Sequence, residues 1–97
     1  MAFYVTLYNF TDQGFRAVKE SPARLKAGIQ AAEAAGVKVH GAYYTEGPYD
    51  LVVIAEGDDD DLGAAITLGQ AAQGYVRTLM MRAWDADGFA KILSMMP

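Results

Sequence analysis

Ala2-Phe3-Tyr4-Val5-Thr6-Leu7-Tyr8-Asn9-Phe10 alternates residue by residue, with apolar Phe3, Val5 and Leu7 at odd positions and the larger, partly polar Tyr4, Thr6 and Tyr8 between them. Side chains of an extended chain point to opposite faces with a period of two, so this is a strand with one face on a core and one carrying tyrosines. The segment has no basic start and no small-residue cleavage site, so it does not read as a secretory signal peptide.

Beyond this strand, Thr11 caps a short helical turn running through Val18. Ser21-Pro22 then restarts a helix, with an acceptor at the cap and a proline in the first turn, and this helix ends at Gly36. Leu25, Gly28, Ile29 and Ala32 share one face of it and are small enough to let it lie close to a sheet. Val37 to Thr45 alternates again, with Val37, Val39, Gly41 and Tyr43 against Lys38, His40, Ala42 and Tyr44. Glu46-Gly47-Pro48-Tyr49 has turn chemistry, and Asp50-Leu-Val-Val-Ile-Ala-Glu56 is continuously apolar, the mark of a central strand. Asp58 to Asp61 open a second long helix, whose predicted face is Leu62, Ala65, Ile66, Gly69 and Ala72. Val76 to Trp84 is a fourth strand, and Asp85 or Asp87 caps a last helix with the stripe Phe89, Ile92, Leu93 and Met96.

Strand, helix, strand, strand, helix, strand with right-handed crossovers gives an α+β, ferredoxin-like βαββαβ fold. Its four-stranded antiparallel sheet has the order 4-1-3-2, with two helices on one face and an extra C-terminal helix. The 97 residues, 53% hydrophobic and 21% charged, fit a single domain over 1–97. With no cysteine there is no disulfide, thiolate metal site or catalytic thiol, and the expected location is cytoplasmic. Eight Lys and Arg against twelve Asp and Glu leave a net charge of −4, which disfavours nucleic acid and anionic membrane as partners. No apolar run approaches the roughly 20 residues that span a bilayer.

If the helices cover Val5, Leu7, Val39, Leu79 and Met81, the opposite face presents Tyr4, Thr6, Tyr8, His40, Tyr44, Thr78, Met80, Arg82 and Trp84. That face is too aromatic to stay in water, so a homodimer through the open sheet face is expected.

Tyr4 to Gly14 (Tyr-Val-Thr-Leu-Tyr-Asn-Phe-Thr-Asp-Gln-Gly), Ser21-Pro22-x-Arg24, Gly47-Pro48-Tyr49-Asp50 and Val76-Arg77-Thr78-Leu79 together resemble the GYD-domain family, named for its Gly-x-Tyr-Asp motif. The resemblance covers nearly the whole chain. It implies membership of the dimeric α/β-barrel superfamily, whose ferredoxin-like subunits pair through their sheets. That superfamily includes cofactor-independent monooxygenases, haem-degrading enzymes, lactone isomerases and amino-acid-sensing modules, and no signature of any one of them stands in this chain.

Two residues are candidate catalytic groups. His40, the single histidine, titrates near neutrality, but it has no companion at metal-ligand spacing and equally suits a solvated or interfacial position. Asp50 stands at the turn, where its first use is to accept amide hydrogen bonds and its second to act as a base. Tyr8, Tyr44, Tyr49, Arg82 and Trp84 are the candidate ligand-binding residues, with rings to stack on a flat molecule and a guanidinium to hold a carboxylate; dimer packing is the competing use of the same side chains. The Asp58 to Asp61 run lacks the spacing of a calcium loop, and neither a metal nor a cofactor is expected. The function expected is therefore the binding of a small aromatic or carboxylated molecule in a pocket bordered by sheet and helices. A cofactor-independent monooxygenase or isomerase is the enzymatic alternative, and a structural or regulatory protein-interaction module the second.

Overall fold

The structure is a computed structural model that describes residues 2–97. Four strands, β1 (Ala2–Phe10), β2 (Lys38–Tyr44), β3 (Leu51–Gly57) and β4 (Val76–Ala83), form one antiparallel sheet in the order β2-β3-β1-β4. The helices are α1 (Asp12–Arg16), α2 (Ser21–Ala34), α3 (Asp60–Ala72) and α4 (Ala86–Ser94), with a 3-10 turn over Val18–Glu20. This is the ferredoxin-like βαββαβ arrangement with an added C-terminal helix. No helix among the described residues is long and apolar enough to cross a membrane.

Local chemistry sets the element ends. The Thr11 side chain accepts from the Gly14 N–H at 3.0 Å, Asp59 from Asp61 and Leu62, and Asp85 from Gly88 at 2.7 Å, each satisfying amides at a helix start that have no partner within the helix. Asp85, rather than Asp87, is thus the cap of α4. Ser21 departs from the expected capping role: it lies inside α2, and its hydroxyl bonds instead to the Tyr44 hydroxyl at 2.8 Å. Gly36 (φ 94°) and Gly74 (φ 88°) end α2 and α3 in the left-handed region that glycine adopts without strain.

The division of β1 into two faces is as the alternation predicts, but the helices lie on the other side. Tyr4, Thr6 and Tyr8 are buried beneath α2 and α3, whereas Ile54, Leu79 and Met81 remain exposed on the helix-free face together with half-buried Val5 and Leu7. Period-two alternation says which residues share a face and nothing about the side on which the crossovers lie. On that side the Tyr8 hydroxyl finds a partner, Oη donating to Gln70 Oε1 at 2.8 Å.

A second departure is a β-bulge in β2. Val39 pairs with Ala55 and Gly41 with Ile54, so the extra residue shifts the phase of the strand. Val39 and Tyr44 consequently share the helix-covered face despite their opposite parity, while His40 lies against Phe3 and Glu56 on the open face.

α4 leaves the body of the domain. It packs extensively on no other element, and Trp84, Phe89, Leu93 and Met96 stay exposed. The radius of gyration, 14.6 Å, exceeds the roughly 12.5 Å of a compact chain of this length for the same reason.

Two glycines report the packing in opposite senses. A Cβ on Gly14 would meet the Tyr75 carbonyl oxygen at 2.0 Å, whereas one on Gly28 would meet only the Gln70 amide nitrogen at 4.0 Å. Gly14→Ala is expected to destabilise by about 1–3 kcal/mol, and Gly28→Ala to stabilise by about 0.5–1 kcal/mol through helix propensity. Urea unfolding of the two variants checks both signs.

Candidate functional site

The helices do not lie tight on the sheet. Gly28, Ala31 and Ala32 of α2 and Gly63 of α3 are too small to fill the space above the tyrosine face, and a cavity of about 420 Å³ remains between the layers. Its floor is the sheet: Tyr4, Thr6 and Tyr8 from β1, Leu51, Val53 and Ala55 from β3, Val39 from β2 and Met80 from β4. Its roof is Leu25, Gly28, Ile29 and Ala32 of α2, the face the spacing predicts, with Gly63, Ile66, Thr67 and Gln70 of α3. The α3 face is thus rotated from the predicted one, which shares only Ile66 with it. Alanine, glycine and threonine surround this helix, so its pattern alone does not fix which side turns inward.

The polar groups of the cavity are few. Tyr8 is bound to Gln70, and burial pushes its phenol pKa up, against a smaller lowering by that hydrogen bond. The Tyr4 hydroxyl is buried in the wall, and among the described residues it has no hydrogen-bond partner. Arg24 extends from α2, its guanidinium carbon 4.1 Å from the centre of the Tyr75 ring and one nitrogen donating to the Ala17 carbonyl at 3.1 Å. Asp59 is also in the lining, but its carboxylate already caps α3.

Of the residues singled out from the sequence, the cavity takes in Tyr8 and leaves the others at its margins or outside. Tyr44, bonded to the buried Ser21 hydroxyl, stacks on Phe10 at 6.5 Å. Arg82 lies between Tyr4 and Trp84, 5.8 and 4.7 Å from their ring centres, and its guanidinium donates to the Phe3 and Ala83 carbonyls. Tyr49 is half-buried in the turn, its carbonyl accepting from Thr45 Oγ1 at 2.6 Å. Asp50 ties that turn to the end of β1: Oδ2 accepts from the Phe10 N–H at 2.9 Å, and its own N–H donates to the Tyr8 carbonyl. His40 Nε2 is 2.8 Å from Glu56 Oε1 on the open face of the sheet. The polar groups of the lining that the sequence did not single out as ligand contacts include Arg24 and Gln70. Their one signal is position: each is a long polar residue beside a stripe of small residues, Arg24 four before Gly28 and Gln70 four after Ile66.

The two buried phenols give contrasting expectations. Tyr8→Phe leaves the Gln70 carbonyl oxygen without its donor and is expected to cost about 1 kcal/mol, whereas Tyr4→Phe removes an unpaired hydroxyl and is expected to be neutral or stabilising. Because the folded-state pKa of Tyr8 lies above its ordinary value of 10.0, its contribution is complete below that pH and is lost as the pH rises through the folded value. Denaturation curves at increasing alkaline pH are expected to show this loss in the wild type and less of it in Tyr8→Phe.

Residues 4–93 match the GYD domain. The chain is 33% identical over 84 residues to the glutamine synthetase and cystathionine beta-lyase binding protein of Thermus thermophilus, an alignment covering 86% of this chain and 88% of that protein. Among solved structures, FFRP-DM1 superposes with a TM-score of 0.56 at 27% identity, over 87% of this chain and 100% of the other. The 5-chloro-2-hydroxyhydroquinone dehydrochlorinase of Burkholderia phenoliruptrix AC1100, in complex with 2,5-dihydroxybenzoquinone, shares the fold with a TM-score of 0.64 at 15% identity, over 90% and 97% of the two chains.

Proposed function

Because the chain belongs to the GYD-domain family, we propose that it is a cytoplasmic homodimer that holds a small aromatic or carboxylated molecule between its sheet and its helices. The cavity carries this reading. Its volume of about 420 Å³ falls within the range of small-molecule sites, and its walls are mainly apolar with a few convergent polar groups. A ligand seated there would make dispersion contacts with both the sheet floor and the helix roof.

Binding is favoured over turnover by what surrounds the space. Phenols, glutamine amides, threonine hydroxyls and a guanidinium can orient a ligand, but none of these is a base near neutral pH, and the carboxylate in the lining, Asp59, is held by the Asp61 and Leu62 amides at the start of α3. His40 and Asp50, the groups that would serve as one, are engaged elsewhere, with Glu56 and with the Phe10 amide.

The homodimer is supported by the open face. Val5, Leu7, Ile54, Leu79 and Met81 present aliphatic surface that the chain's own helices do not cover, and a two-fold pairing of sheets buries it in both copies at once. The exposed stripe of α4 also favours a second reading, a protein-interaction module, in keeping with the name of the Thermus thermophilus relative.

Native mass spectrometry of the purified protein tests the first reading. The expected particle is twice the 10.5 kDa chain with a small molecule retained. Gly28→Leu, which adds bulk at the cavity roof, is expected to lose that molecule and keep the dimer; Ile54→Arg with Leu79→Arg is expected to give single chains. A 10.5 kDa particle from the wild type at micromolar concentration rejects the dimer, and retention unchanged in Gly28→Leu rejects the cavity as the binding place.

A further inference from the structure

We infer that the molecule held in the cavity is an aromatic carboxylate and that Arg24 receives its carboxylate group. This rests on the cavity being a ligand site and adds to it the charge and orientation of the ligand.

Arg24 is half-buried in the cavity lining and is fixed from two sides, by the Tyr75 ring beneath its guanidinium and by the Ala17 carbonyl on one nitrogen. These contacts use one of its five N–H donors and set the plane of the fork. Among the described residues no carboxylate pairs with it, although the protein is acidic overall, with twelve Asp and Glu. A guanidinium partly withdrawn from water, held rigid and left without a counter-charge is suited to a planar anion, which it can grip through two parallel hydrogen bonds. A neutral ring would displace water from that guanidinium without supplying a counter-charge.

The rest of the lining fixes the other half of the ligand. Beyond Arg24 the sheet floor and helix roof present Val53, Ile66 and Met80, which make van der Waals contact and offer no charge. Tyr75 leads into β4, whose Val76 pairs with Phe10, so Arg24 marks one end of the β1 floor. Tyr4, with its unpaired hydroxyl, is four residues from Tyr8 toward the other end, roughly 13 Å along the strand. An aromatic acid of one or two rings therefore lies with its carboxylate at the Tyr75 end and its ring over the centre of the sheet.

The probes are 2-naphthoate and its neutral isostere 2-naphthamide, titrated calorimetrically into dialysed protein. Wild type is expected to bind naphthoate about tenfold or more tighter than naphthamide, and Arg24→Gln to erase that difference by weakening naphthoate alone. Should Arg24→Gln fail to fold, Arg24→Lys keeps the charge without the planar fork and is expected to weaken naphthoate about threefold or more with naphthamide unchanged. Equal binding of the two probes, abolished for both by Gly28→Leu, overturns the carboxylate and leaves the cavity as a site for neutral molecules. Absence of binding by either probe to the wild type overturns both readings. Naphthoate affinity unchanged in the Arg24 variants overturns the role of Arg24.

Discussion

Everything in this molecule depends on the two-sidedness of its central strand. β1 is paired on both edges, with β3 and β4, and its side chains alternate between a tyrosine-threonine row and an aliphatic row. Both rows are too apolar to face water, yet right-handed crossovers bring α2 and α3 to the same side. One apolar face is therefore always left over. The aliphatic row, with Ile54 of β3 and with Leu79 and Met81 of β4, is what remains outside, and a second copy of the same surface is the simplest cover for it.

The covered face has the opposite difficulty. Tyrosines are tall, and helices that must clear them cannot also seal the interior with alanine and glycine. No large side chain among the described residues is fully buried, and the space that results is the cavity. Smallness in α2 and α3 keeps this space open: larger residues there would have made a denser and more stable core. The Gly-Pro-Tyr-Asp turn contributes by holding the floor in place, since Asp50 accepts from the Phe10 amide and donates to the Tyr8 carbonyl beside the cavity.

The path from residues to site is uneven. Strand and helix positions follow from alternation, caps and breakers, because these are local properties; Thr11, Asp59 and Asp85 perform at helix starts the hydrogen bonding their side chains are built for. Tyr8 is legible as a contact from its ring, which can stack on a flat molecule, although the face it occupies is not the helix-free one that the alternation suggests. Arg24 is not legible, because nothing in Ser21-Pro22-Ala23-Arg24 tells whether its guanidinium reaches solvent, an acid or a cavity; that depends on Tyr75, fifty-one positions further along the chain. The rotation of α3 was equally hidden, since its small residues form no sharp stripe.

The order of elements, the central place of β1 and β3, and the partition of β1 into two rows can be read from the residues alone, since each follows from period, charge and turn chemistry along a short stretch. Which row the helices cover, where the β2 bulge sends His40, and which polar groups line one cavity are settled in three dimensions. Those outcomes depend on crossover hand, register and the meeting of residues far apart in the chain, and a period of two is the same when read from either side of the sheet.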